Sequence, residues 1–189
     1  MYAFLTSTGV VAVSEIGDKT QLLALVLACR FRQPVPIILG IFVATLANHA
    51  LAALAGEWIG TALDPTTLRW ALGALFLAIA VWALIPDKLD DAGSNSAYAG
   101  SAFIATTIAF FLAEIGDKTQ IATAALAAQF SALLPVVIGT TLGMMLANVP
   151  AVLIADRFAH RINLKYVRWA AAAIFATLGV LSLSGVSIM

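Results

Sequence analysis

The chain has 189 residues, 62% of them apolar and only 11% charged, against roughly 25% charged in an ordinary soluble domain; its mean hydropathy is +1.00. Ten basic residues balance ten acidic ones, so there is neither the basic excess that nucleic acid demands nor an acidic tail. Together with a single cysteine, Cys29, this excludes a soluble enzyme, a nucleic-acid-binding domain, a large extramembrane domain, an internal disulfide and a zinc cluster.

The start, Met1-Tyr2-Ala3-Phe4-Leu5, lacks the positive region of a signal peptide. Val26-Leu27-Ala28-Cys29 is a poor lipoprotein box, because Glu15, Asp18 and Lys19 interrupt the apolar stretch before it. Apolar runs at 2–28, 34–55, 68–85, 98–130, 134–155 and 167–188 are each far longer than a barrel strand. A spanning helix takes about 20 apolar residues. The expected fold is therefore an all-α integral membrane protein of six transmembrane helices, forming one membrane domain over 1–189.

The second half repeats the first at an offset of 99 residues. Glu15-Ile16-Gly17-Asp18-Lys19-Thr20-Gln21 recurs as Glu114-Ile115-Gly116-Asp117-Lys118-Thr119-Gln120. Phe31, Pro36 and Gly40 match Phe130, Pro135 and Gly139; Glu57 answers Asp156, and Arg69-Trp70-Ala71 answers Arg168-Trp169-Ala170. Leu46-Ala47-Asn48 matches Leu146-Ala147-Asn148 one residue out of step. Repeat one covers 1–85 and repeat two 98–189, joined by a polar linker at 86–97. Three spans per repeat is an odd number, so the second must enter the membrane from the opposite side, giving the inverted repeats of many secondary transporters.

Basic residues set the orientation. The first, third and fifth loops with their flanks hold Arg30, Arg32, Lys88, Arg157, Arg161, Lys165 and Arg168; the other side holds Arg69. The linker is thus expected in the cytoplasm and both termini outside it, in a multi-pass protein of a bacterial inner membrane.

Glu15 and Glu114 lie roughly 20 Å from the starts of their spans at about 1.5 Å per residue, near mid-membrane. A charge there costs at least a few kcal/mol, so Glu15, Asp18, Lys19, Glu114, Asp117 and Lys118 are functional candidates by position alone. Glu15 and Asp18, three residues apart, are expected to share a helix face, and Lys19, four beyond Glu15, to be able to pair with it; Glu114, Asp117 and Lys118 repeat the pattern. Gly17 and Gly116 either let the helix unwind or serve close packing. Asn48 and Asn148 offer amide oxygens at similar depth, while Thr20, Thr119, Gln21 and Gln120 are placed to line a path. Thr45, Thr140 and Thr141 are expected to bond back to their own helices, and His49 to be hydrogen-bonded between helices, its alternative being a ligand or proton group beside Asn48. Gly56-xxx-Gly60 and Gly139-xxx-Gly143 fit small-residue packing. Trp58, Trp70, Trp82 and Trp169 fit interfacial anchoring.

Four carboxylates and two amides are hard oxygen donors suited to Ca²⁺, Mn²⁺ or Mg²⁺. With both lysines charged the site is formally minus two, which one divalent cation or two protons would cancel. The residues alone leave open an exporter of a zwitterionic or cationic metabolite such as an amino acid. A membrane enzyme acting on a lipid phosphate is also open, though its nearest arginines, Arg30 and Arg32, lie about two to three helical turns or more past Lys19.

The doubled Glu-x-Gly-Asp-Lys-Thr, one copy in the first span of each repeat, resembles the signature of the small Ca²⁺/Mn²⁺–proton exchangers, a family of bacterial manganese exporters and eukaryotic Golgi transporters. The resemblance covers the whole chain. It implies export of Mn²⁺, and of Ca²⁺ as a second substrate, in exchange for protons, with Glu15, Asp18, Glu114 and Asp117 as the acidic site. The metal is then a transported substrate and no cofactor is implied. The partners are the metal ion, protons and the lipid bilayer, with no nucleic acid and with a homodimer left open.

Overall fold

The structure is a computed structural model that describes residues 1–84, 102–154 and 164–184. The linker at 86–97 with Lys88, and Asp156, Arg157, His160 and Arg161, lie outside the described residues. Among the described residues eight helices follow in order: α1 (Tyr2–Glu15), α2 (Lys19–Phe31), α3 (Pro34–Ala62), α4 (Pro65–Ala83), α5 (Ala102–Glu114), α6 (Lys118–Phe130), α7 (Leu133–Leu153) and α8 (Leu164–Ser184). Among the described residues there is no strand.

Among the described residues three helices are long and apolar enough to cross a membrane by themselves, at Pro34–Ala62, Pro65–Trp82 and Leu133–Leu153. The expected first and fourth spans are not single helices. Each is divided at its motif, into α1 with α2 and α5 with α6. At 13 or 14 residues each piece is about 20 Å long, short of a hydrocarbon core of about 30 Å.

The breaks have a local cause. Gly17 and Gly116 sit at φ 79° and 74°, a left-handed conformation that costs other residues about 1–2 kcal/mol. The following Asp18 and Asp117 are extended and serve as N-caps of α2 and α6. Three residues into each new helix, Gln21 and Gln120 reach back to accept from the Gly17 and Gly116 N–H groups at 2.8 and 2.7 Å. This is close kin to a capping box, shifted by one residue.

Other helix ends repeat as faithfully. Arg32 and Ser131 both close their helices in the left-handed region, each N–H donating to the carbonyl four residues back at 2.9 Å. At the start of α4, Asp64 caps the amides of Thr66 and Thr67 at 3.1 and 3.0 Å, with Pro65 in the first helical position. These bonds, that from Thr67 foremost, hold its exposed carboxyl below its ordinary pKa.

Glycine contacts reveal which helices run together. Gly139 lies against Phe4 and Ser7, and Gly143 against Thr8 and Val11, so α7 runs beside α1 in the same direction. Gly40 meets Phe103 and Thr106, the positions 99 residues beyond Phe4 and Ser7. Gly56 and Gly60 meet Ala124 and Ala128, so α3 runs with α6. Gly73 meets Gly179 and Leu183, while Gly179 meets Leu77, so α4 and α8 run oppositely. The broken helix pair of each repeat thus packs on the long helix of the other. Phe76 and Phe175, equivalent in the two repeats, are both fully buried.

Polarity is distributed as in a membrane protein. On α3, Leu39, Phe42, Val43 and Leu46 are exposed while Thr45, Asn48 and His49 are buried. Trp58, Trp70 and Trp169 also project outward.

Candidate metal centre

The two helix breaks bring the repeated motifs together. Glu15, Asp18, Glu114 and Asp117 are all at most 2% exposed. Among the described residues, carboxylate oxygens of Glu15, Asp18 and Asp117 lie within 4.8 Å of one another. Glu114 stands outside this triad. Three acidic side chains from both repeats at such spacing repel one another unless a cation or protons sit among them.

Both lysines pair across the repeats. Lys19 Nζ lies 3.0 Å from Asp117 Oδ1, and Lys118 Nζ lies 2.7 Å from Asp18 Oδ1. The expected pairing of each lysine with the glutamate four positions earlier is corrected by the break. The helix ends at Glu15 and restarts at Lys19, so the two residues are no longer on one helical face. The same break removes the shared face of Glu15 with Asp18, and of Glu114 with Asp117. The two cross-pairs differ in exposure. The Lys118 side chain is 4% exposed and that of Lys19 28%.

The threonines act on the acids directly. Thr20 Oγ1 donates to Glu15 Oε2 at 2.5 Å. Its equivalent, Thr119, lies 3.5 Å from Glu114 Oε2 and 3.2 Å from Asp117 Oδ2. Gln21 and Gln120, expected along a path, tie the breaks to the opposite repeat. Their amides donate to the Ala147 carbonyl at 3.0 Å and to Asn48 Oδ1 at 3.4 Å.

The two asparagines are not equivalent. Asn48 Nδ2 donates to the Phe111 carbonyl at 3.0 Å, one of the last four carbonyls of α5, which have no helical donor. Asn148 turns to its own helix, donating to the Met144 carbonyl at 3.1 Å. Buried acceptors with no donor among the described residues remain at Glu15 Oε1, Glu114 Oε1 and Asn148 Oδ1. Such atoms are rare in folded proteins and call for a ligand or proton.

Of the remaining polar residues, Thr140 does bond back, to Val136 at 2.9 Å. Thr45 and Thr141 have no partner among the described residues, nor does either ring nitrogen of His49, contrary to expectation. The choice between unwinding and close packing is resolved at Gly116. An added methyl there meets nothing within 4 Å, yet φ is +74°, so its requirement is conformational. Gly116→Ala should therefore destabilise the protein by about 1–2 kcal/mol, read as a lower melting temperature in detergent, with a larger fractional loss of transport because the Asp117 carboxylate is displaced.

The family model described as "Divalent cation/proton antiporter GDT1" matches residues 3–91 and 102–188. A Vibrio cholerae protein named "Putative manganese exporter" is 56% identical over 166 residues, 87% of this chain and 82% of the relative. A GDT1-like protein of Synechocystis is 31% identical over 95% of this chain and 96% of its own length. An Arabidopsis thaliana GDT1-like protein is 26% identical over 95% of this chain and 70% of its own length. No solved structure matches the chain significantly. A chain whose two buried acidic motifs meet between matching halves, and which this model covers almost from end to end, belongs to the GDT1 family of divalent cation/proton antiporters: it is a membrane transporter and not an enzyme.

Proposed function

We propose that the protein exports Mn²⁺ from the bacterial cytoplasm in exchange for protons, with Ca²⁺ as a second substrate, through one site built by both repeats. The observation that carries this reading is the triad of Glu15, Asp18 and Asp117, oxygen-only and drawn from both motifs. Hard oxygen donors suit these ions, and the 56% identical relative bears a manganese exporter's name.

The metal ligands are Glu15, Asp18, Glu114 and Asp117 with the amide of Asn148; Asn48 positions Gln120 and the end of α5. Lys19 and Lys118 balance charge, and Gly17 and Gly116 shape the breaks. Six spans arranged as inverted repeats, 1–85 and 98–189, support an alternating-access cycle. The directions favour inversion: α7 runs with α1, and α3 with α6, while connections of only two residues reverse the chain between α2 and α3 and between α6 and α7. The equivalent helices α3 and α7 then run oppositely. Rocking one repeat against the other exposes the site to each side in turn. Cargo of one divalent cation outward and two protons inward moves no net charge.

The orientation has its own check. In a Cys29→Ser background, cysteine at Asn95 should react with an impermeant reagent from the cytoplasmic side and cysteine at Thr66 from the outside; the reverse pattern would overturn it. For the function, everted vesicles with an acid interior should accumulate Mn²⁺, more weakly Ca²⁺, and lose the gradient-driven part when a protonophore is added. Uptake of an amino acid without metal would defeat the reading.

A further inference from the structure

Met144 is fully buried on α7, and its thioether Sδ accepts a hydrogen bond from Asn148 Nδ2 at 2.9 Å. Among the described residues it is the one fully buried sulfur; Cys29 is exposed. Its place in the fold puts it one helical turn before the level of the carboxylates. Gly139 packs at Phe4–Ser7 of α1 and Gly143 at Thr8–Val11, so the next turn of α7, Ala147 and Asn148, comes level with Glu15 at the end of α1. Gln21 fixes that level, holding the Gly17 N–H with its oxygen and the Ala147 carbonyl with its amide. Met144 lies one turn before Asn148, whose buried Oδ1 has no donor among the described residues.

Repeat one has no such arm. The register that aligns Asn48 with Asn148 puts Ala44 opposite Met144, and both ends of the Asn48 amide are engaged. The pairing of an available amide oxygen with a thioether therefore occurs on one side of the site.

We infer that Met144 is the specificity-determining residue of the transport site, its thioether joining Asn148 Oδ1 as a ligand that favours Mn²⁺ over Ca²⁺ and Mg²⁺. This rests on the metal site proposed above and adds the basis of its selectivity. Carboxylates and amides bind all three ions; a thioether is a soft donor that transition metals accept and alkaline-earth ions do not. A methionine used only to fill space is replaceable by leucine at little loss, and that separates the two roles.

The test is equilibrium binding of Mn²⁺, Ca²⁺ and Cd²⁺ to the full chain in lipid nanodiscs. Met144→Leu should weaken Mn²⁺ binding roughly tenfold, weaken Cd²⁺ more, and leave Ca²⁺ unchanged; Met144→Cys should restore Mn²⁺ and Cd²⁺ binding. X-ray absorption of bound Cd²⁺ should show a sulfur neighbour that disappears in Met144→Leu. An unchanged Mn²⁺-to-Ca²⁺ ratio in Met144→Leu, or an equal loss of both ions, overturns the inference while leaving the carboxylate site standing. Wild-type protein that binds neither ion overturns the site and the inference with it.

Discussion

Glu15→Gln and Glu114→Gln should each lower net Mn²⁺ transport by on the order of a hundredfold or more, yet differ in binding. Glu15 belongs to the carboxylate triad and Glu114 does not. Exchanging the roles of the repeats turns Glu15, Asp18 and Asp117 into Glu114, Asp117 and Asp18. On that reasoning the two aspartates serve both states of the cycle, and the glutamates alternate. The asymmetry between Thr20–Glu15 at 2.5 Å and Thr119–Glu114 at 3.5 Å, and between the two lysines in exposure, has the same sense. Glu15→Gln should therefore lose Mn²⁺ binding in the described state. Glu114→Gln should keep it but fail to complete the cycle. Both substitutions preserve side-chain shape, so the variants should remain folded. Binding by radiolabelled Mn²⁺, set beside flux in vesicles, separates the two effects; equal loss of binding in both would contradict the alternation.

Asp18→Asn should be the most destabilising of the conservative acid substitutions. It leaves Lys118, only 4% exposed, facing a neutral amide where a carboxylate stood. Removing one partner of a buried ion pair costs about 3–5 kcal/mol. Asp117→Asn should cost less, because Lys19 is 28% exposed and can turn toward solvent or the interface. The double variant Asp18→Asn/Lys118→Met should regain most of the lost stability and none of the transport. Thermal unfolding in detergent, with flux on the same preparations, checks both statements. A double variant as unstable as Asp18→Asn would show that the ion pair is not what the single substitution damages.

Much of this arrangement is legible in the sequence because duplication writes it twice. Seven consecutive identities that carry acids into two apolar runs point to the candidate site, and apolar runs locate the long helices to within a few residues, except that α3 continues to Ala62. The helix breaks are less visible, since hydropathy does not register a single residue at positive φ. A signal was nonetheless there: Gly followed by Asp-Lys-Thr-Gln reads as a stop and then an N-cap with its third-position partner. A helix that stops and restarts there leaves no intrahelical Lys19–Glu15 pair. Cross-pairing of the lysines depends on how two breaks meet in space, which spacing along one helix cannot express. The inequality of Asn48 and Asn148 likewise depends on which neighbours their amides find, and Met144 carries no signal of its own, because a methionine in an apolar span reads as core.

The central claim is that metal and protons compete for the same carboxylate oxygens. Burial disfavours an uncompensated charge, so the empty site holds protons that an arriving cation must displace. Affinity for Mn²⁺ should accordingly fall as pH is lowered. The most direct measurement is the number of protons released when Mn²⁺ binds to the purified protein, obtained by calorimetry in buffers of different ionisation enthalpy. The account predicts about two protons per metal ion near neutral pH, and none from Glu15→Gln. Full-affinity Mn²⁺ binding by the wild-type protein with no proton release would contradict it.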